Sequence, residues 1–342
     1  MRGRVRPAGV TAAVLLVLLS GCVGSPSTPT EITGVAVSAP PRAAGPLRGF
    51  SLSPRDFGAE GLVGFFDTAA AHADLIEHVA DALEWEEAPG SALAVVHALA
   101  EERGDLVVSV GGTFHTSDGT LLRPIDQEVF DRYVAAAARY AAAHRPPFLG
   151  FGVEVDTLWR VDPDGFDRFV DLFAAVATAV ADVSPETLVF PVFQLERLSG
   201  LQGGLFGGTN DTEAAAWDLI DMFPDAGVIG FTSYPGLVFA EPEDVPDDYY
   251  TRLGELAGGR PVVITELGWQ SGGSLGEHSG SPDLQHRFVS RLPDLLPAPE
   301  MAFYVWSFLY DQDAPQPFGS MGMISRQGSE RPAWREWVEQ RP

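Results

Sequence analysis

The sequence predicts a single (β/α)8 barrel, and three observations carry that prediction. Eight short apolar runs recur along the chain, each closed by Gly, Pro or polar residues and each followed by a helical pattern. From Leu47 onward about 295 residues remain, close to the ~250 of one such barrel. No G-x-G-x-x-G follows the first run, which removes the signature of the open, doubly wound alternative.

The eight strand candidates are, in order, "LRGFSLS" (47–53), "ADLIEHV" (73–79), "DLVVSVGG" (105–112), "FLGFGVE" (148–154), "TLVFPVF" (187–193), "GVIGFTSY" (227–234), "PVVITE" (261–266) and "MAFYVWSF" (301–308). Their near-continuous apolar character suits a parallel sheet covered on both faces. Between them, 126–144 is rich in Ala and places Val129, Tyr133, Val134 and Ala137 at helical spacing. The next helix opens with Asp162 as N-cap and Pro163 at its first position, then runs Phe166, Phe169, Phe173 and Val176 down one face. Residues 332–340 predict a short closing helix.

The N-terminus is of a different kind. Residues 1–21 combine Arg2, Arg4 and Arg6 with an apolar run of about a dozen residues, a secretory signal too short for the ~20 residues of a spanning helix. Leu19-Ser20-Gly21-Cys22 matches a bacterial lipobox, and Cys22 is the single cysteine of the chain. These residues predict lipidation at Cys22, a flexible Ser/Thr/Pro/Gly/Ala linker over 22–46, and the barrel over 47–342 outside the cytoplasmic membrane. One cysteine excludes an intramolecular disulfide.

The net charge is −25, from 47 acidic residues against 22 basic ones, all of them Arg. Such a surface repels nucleic acid and anionic lipid, so neither is an expected partner, and the protein is expected to act as a monomer. Seven scattered histidines give no H-x-x-x-H or H-E-x-x-H pair, so no metal or cofactor is expected.

In a (β/α)8 barrel, function collects at the C-terminal ends of the strands. There the sequence sets His78, then Phe114 and His115, then Glu154 with Asp156 and Trp159, then Gln194 and Glu196. Ser233 and Tyr234, Glu266 with Trp269, and Trp306 complete the circuit. Two carboxylates, a tyrosine, a glutamine and several tryptophans at one mouth suit a saccharide, with aromatic faces stacking on rings and polar groups taking hydroxyls. Glycosidic cleavage needs one carboxyl that donates a proton and another that attacks or steers water, roles open to Glu154 and Glu266. Trp85 and the two histidines are equally compatible with packing.

On these residues the chain resembles a clan A glycoside hydrolase. "ITELGWQS" is similar to the strand-7 motif of plant-type β-1,3-glucanases, while "GFGVEVDTLW" and the overall length resemble the endo-β-1,4-galactanase family and its lipoprotein relatives. The resemblance implies a retaining mechanism on a β-linked glycan, with Glu154 as acid/base and Glu266 as nucleophile. It also implies that Tyr234 bonds the nucleophile and that Trp306 floors the subsite beside the scissile bond. Gln194, Trp159, Trp269 and His78 complete the expected substrate-binding set. One position departs from the pattern: Val153 stands where clan members carry an Asn that contacts the sugar 2-hydroxyl. A non-catalytic or weakly active glycan-binding lipoprotein on the same barrel is therefore the second reading.

Overall fold

The computed structural model describes residues 45–86, 91–112, 114–115, 122–275, 278–296 and 301–340. The expected signal peptide, Cys22 and nearly all of the linker lie outside them. The strands are β1 (Leu47–Ser51), β2 (Leu75–Val79), β3 (Leu106–Gly111), β4 (Phe148–Phe151), β5 (Leu188–Phe190), β6 (Val192–Gln194), β7 (Ile229–Ser233), β8 (Val262–Leu267), the two-residue β9 (Ser274–Leu275) and β10 (His278–Ser279), and β11 (Met301–Trp306).

All but β9 and β10 form one parallel sheet in the order β5-β4-β3-β2-β1-β11-β8-β7-β6. The two ends of that order belong to one predicted strand, 187–193, interrupted at Pro191. Proline has no N–H to give a ladder. Its first half pairs with β4 and its second with β7, so the sheet closes into a barrel at Pro191.

Helices cover the outside: α1 (Ala59–Ala70), α2 (Ala92–Arg103), α3 (Gln127–His144), α4 (Val155–Val161), α5 (Pro163–Val183), α6 (Leu195–Leu198), α7 (Leu253–Leu256), α8 (Pro282–Leu295) and α9 (Pro332–Glu339). The starts follow local chemistry. Asp126 accepts from the Val129 N–H, and Asp162 accepts from the Gly165 N–H with Pro163 in the first turn. Between β6 and β8 the cover is thin, with only four-residue helices and single 3₁₀ turns. That is where the loops over the barrel mouth come from.

The core has two layers. Leu75, Val108, Val110, Val153, Phe190, Val192, Val228, Val263, Phe303 and Val305 pack together from successive strands and fill the barrel interior. A larger cluster lies between the strands and the helices. Alternation along each strand decides which layer a side chain joins. No helix among the described residues is long and apolar enough to cross a membrane.

Candidate active site

The end of β4 is built around an unusual backbone. Gly152 has φ +91°, and a Cβ there would lie 2.3 Å from the Phe169 ring, so only glycine fits. Two residues on, Glu154 has φ 49° and ψ 49°. Left-handed backbone at a non-glycine residue costs ~1–3 kcal/mol and collects at functional sites. Among the described residues only Arg145 shares the feature. The turn aims a buried carboxylate over the mouth: Thr232 Oγ1 donates to Glu154 Oε1 at 3.0 Å, and an Arg197 guanidinium nitrogen lies 3.9 Å from Oε2. His115 Nε2 is 3.1 Å from the Glu154 carbonyl oxygen. Burial raises the Glu154 carboxyl above its ordinary range; the Arg197 charge opposes the rise and Asp156 adds to it.

Glu266 is turned inward by a register shift. Phe231 pairs with Ile264, but the next residue, Thr232, pairs with Glu266, so β8 carries an extra residue at Thr265. Such a bulge re-aims the side chains beyond it. The Tyr234 hydroxyl donates to Glu266 Oε2 at 2.6 Å and lies 2.9 Å from Ser307 Oγ. Burial pushes the Glu266 carboxyl up to about 7, with the Glu154 charge adding and the Tyr234 hydrogen bond opposing. The Glu154 charge therefore reaches Glu266.

A second network supports the mouth from outside the pair. Glu196 accepts from Ser233 Oγ at 2.7 Å, Tyr249 Oη at 3.1 Å, the Tyr234 N–H at 3.2 Å and Gln194 Nε2 at 2.5 Å. With its acceptor sites filled in this way, Glu196 anchors Tyr234 and Gln194 rather than facing a ligand. Asp156 accepts from the Gln194 N–H at 2.8 Å and ties α4 to β6.

Glu154, Gln194, Arg197, Phe206, Tyr234, Leu237 and Phe318 line a cavity of about 10 Å³, roughly the space one water molecule needs and far below the ~300–1,000 Å³ of ordinary small-molecule sites. Phe206, Leu237 and Phe318 belong to an apolar cap that also contains Leu205 and Met321. Arg197 sits 5.2 Å from the Phe206 ring centroid and donates to Thr157 Oγ1 at 2.9 Å.

Of the residues expected at the site, Glu154, Tyr234 and Gln194 line this cavity, while Glu266 is held by the Tyr234 hydroxyl and does not itself line it. Four others do not line the cavity. Trp306 is in the outer layer: its ring packs toward Phe288 of α8 and its Nε1 donates to the Met321 carbonyl. It is on the opposite face of β11 from Phe303 and Val305, so it is no floor for a sugar. Trp269 also packs on Phe288, and Trp159 is 38% exposed on α4. His78 faces outward from β2, 3.8 Å from Glu84, and burial lowers its imidazole to about 4. Trp85 donates to Ser109 Oγ and stacks on Tyr140 in the same outer layer.

Arg197, Thr232, Ser307, Phe206, Leu237 and Phe318 were not expected; nothing in their local sequence marks them. Glu77, buried on β2, was passed over for its neighbour His78. The pattern Gly272-x-Ser274-x-Gly276 also occurs in the chain. Its Ser274 belongs to β9 and not to the strand-to-helix turn that a nucleophilic serine needs. Among the described residues no group of three or more His, Cys, Asp or Glu side chains is placed to hold a metal ion.

No family model and no curated protein matches the chain. Solved structures with a similar fold include GH5_18 from Streptomyces cattleya in complex with GlcNAc, at 19% identity and TM-score 0.64, covering 87% of this chain and 80% of that one. A family 39 glycoside hydrolase from the gut symbiont Bacteroides cellulosilyticus WH2 follows at 16% identity and TM-score 0.60, covering 86% of this chain and 63% of that one. The exo-beta-1,4-mannosidase Op5Man5 from Opitutaceae bacterium strain TAV5 gives 16% identity, TM-score 0.57 and coverages of 86% and 59%. The chain thus spans less than two thirds of the length of the last two. At these identities the likeness establishes the (β/α)8 fold.

Proposed function

We propose that this protein is a retaining glycoside hydrolase acting on a β-linked glycan, with Glu266 as nucleophile and Glu154 as acid/base. The observation that carries the reading is the shared clamp from β7. Thr232 holds Glu154 and Tyr234 holds Glu266, so consecutive segments at the end of β7 fix carboxylates from two different strand ends, with Glu154 and Tyr234 lining one cavity. The ionised Glu266 attacks the anomeric carbon while Glu154 gives its proton to the departing oxygen. Glu154, now ionised, takes a proton from water, whose oxygen attacks the anomeric carbon and releases Glu266. The similar folds support this reading because their members include a GlcNAc complex and an exo-beta-1,4-mannosidase.

The test is a hydrolysis screen of the purified protein against aryl β-glycosides, galactans, β-glucans and mannans, with the anomer of the first product read by NMR. A β product first supports the reading, and an α product first ends the retaining mechanism. Val153 favours one alternative, because its side chain packs into the barrel interior and offers the sugar no hydrogen bond. Binding of a β-glycan without any release of sugar replaces hydrolysis with a glycan-binding role. We further place the barrel outside the cytoplasmic membrane, held by lipid on Cys22, on the strength of the lipobox.

A further inference from the structure

Glu77 is fully buried on β2, on the same strand face as Leu75 of the barrel interior. The register sets it level with the site. Glu77 pairs with Ser51, the neighbouring Phe50 with Trp306, and Trp306 with Leu267, the residue after Glu266. Ser51 Oγ donates to Glu77 Oε2, whereas Oε1 is buried with no partner among the described residues. The groups around it are few. From β1 only Ser51 faces it, since Arg48 turns out onto the Trp337 ring. β3 presents Val108 and Val110, His78 on β2 faces the other way, and the Glu266 charge from β8 adds to the burial that holds Glu77 protonated.

We propose that Glu77 is a positioning residue of this site: a neutral carboxylic acid whose Oε1 proton is offered to Glu266 and keeps that carboxylate ionised. This rests on Glu266 being the working carboxylate. A carboxylic acid has one O–H to give, and Ser51 already occupies Oε2 as a donor, so the proton belongs on Oε1. Burial agrees, since it holds Glu77 well above the ordinary carboxylate range, with the Ser51 bond opposing and the Glu266 charge adding. No arginine or histidine bonds Glu266 among the described residues; the Tyr234 hydroxyl does. A second neutral donor stabilises the anion without forming the ion pair that would make it a weak nucleophile.

The test titrates the side-chain carboxyl carbons of 13C-labelled glutamate in the full chain, assigned by Glu77→Gln, Glu154→Gln and Glu266→Gln. It needs no turnover, so its outcome is separate from that of the hydrolysis screen. Wild-type Glu77 is expected to stay protonated throughout the titration of Glu266, whose midpoint lies near 7. Glu77→Gln, whose amide N–H replaces the O–H, leaves the Glu266 midpoint in place. Glu77→Leu or Glu77→Met raises it by about one unit, roughly a fivefold loss of the ionised form at pH 7. A midpoint that falls in all three variants means Glu77 is an anion repelling Glu266, and it overturns the proposal. A midpoint unmoved by Leu or Met makes Glu77 a packing residue and overturns it equally. Should neither apolar variant fold, Glu77 titrating below Glu266 in wild type still sinks it.

Discussion

Tyr234→Phe isolates the donor that holds the proposed nucleophile. The substitution removes one oxygen, keeps the ring against Phe318, and leaves Ser307 Oγ its bond to the Leu267 carbonyl. What Glu266 loses is a 2.6 Å hydrogen bond in a site that water barely reaches. Hydrogen bonds to charged groups contribute ~1.5–3 kcal/mol, and one pKa unit corresponds to ~1.4 kcal/mol. The Glu266 carboxyl, now about 7, therefore rises by about one to two units. The sign follows from the role: a nucleophile must be ionised, so the ascending limb of kcat/KM moves to higher pH. At pH 6, kcat/KM is expected to fall ~10–100-fold, and most of that loss is recovered near pH 9. The assay is kcat/KM from pH 5 to 10 on the best aryl β-glycoside found. A uniform loss with the limb unmoved would refute the argument and leave Tyr234 a wall of the pocket.

Other substitutions read other parts of the site. Glu154→Ala should cut kcat ~100–10,000-fold on substrates with poor leaving groups and far less on activated aryl glycosides; azide should restore turnover and give a β-glycosyl azide, and an α-azide would contradict retention. Glu266→Gln should abolish turnover yet stabilise the fold. The native carboxyl titrates at about 7 against an ordinary glutamate value of 4.5, so the native state binds the extra proton and stability falls as pH rises through that window. The burial cost, complete above about pH 7, is about 3 kcal/mol. Calorimetry should show the variant melting several degrees higher at pH 8 and no differently at pH 4; an equal gain at both pH values would detach the effect from ionisation. Cys22→Ser should move the protein from the membrane fraction to the soluble one or stop its processing, and unchanged membrane retention of a processed variant would exclude the anchor.

The strands, the helix starts and two glutamates at the ends of strands were legible in the sequence because each rests on local chemistry. Periodicity, Asp162-Pro163 and a strand ending in an acid are readable within a few residues. What the sequence hid was parity. In "LIEHV" one alternation puts Leu75 and Glu77 inside and Ile76 and His78 outside, and choosing by residue type instead of by face selected His78. The same alternation sends Phe303 and Val305 inward and Trp306 outward. Glu266 shows why parity alone also fails: Val263 and Thr265 would be the inward residues, and only the bulge at Thr265 turns Glu266 to the mouth. Arg197 sits on the short helix α6 and Phe318 in a 3₁₀ turn after β11, and their approach depends on the closed barrel, so no local pattern announces them.

Val153 ties the end of β4 to the chemistry in a way that restoring an amide would not repair. Its side chain packs with Val110, Phe190 and Val192 at the top of the interior, beneath the left-handed turn that aims Glu154. An Asn there would meet apolar neighbours, and a buried amide without partners costs ~1–3 kcal/mol. The backbone that serves Glu154 thus leaves residue 153 facing down into the barrel. Contacts to the ring hydroxyls must come from groups that line the cavity. Gln194 already spends its amide on Glu196 and the Arg197 N–H. Arg197 has further N–H donors beyond the one on Thr157. A substrate group that engages Arg197 also draws its charge from Glu154, which favours the protonated carboxyl that the first step requires. On the proposed mechanism, binding and proton delivery are in this way coupled through one guanidinium.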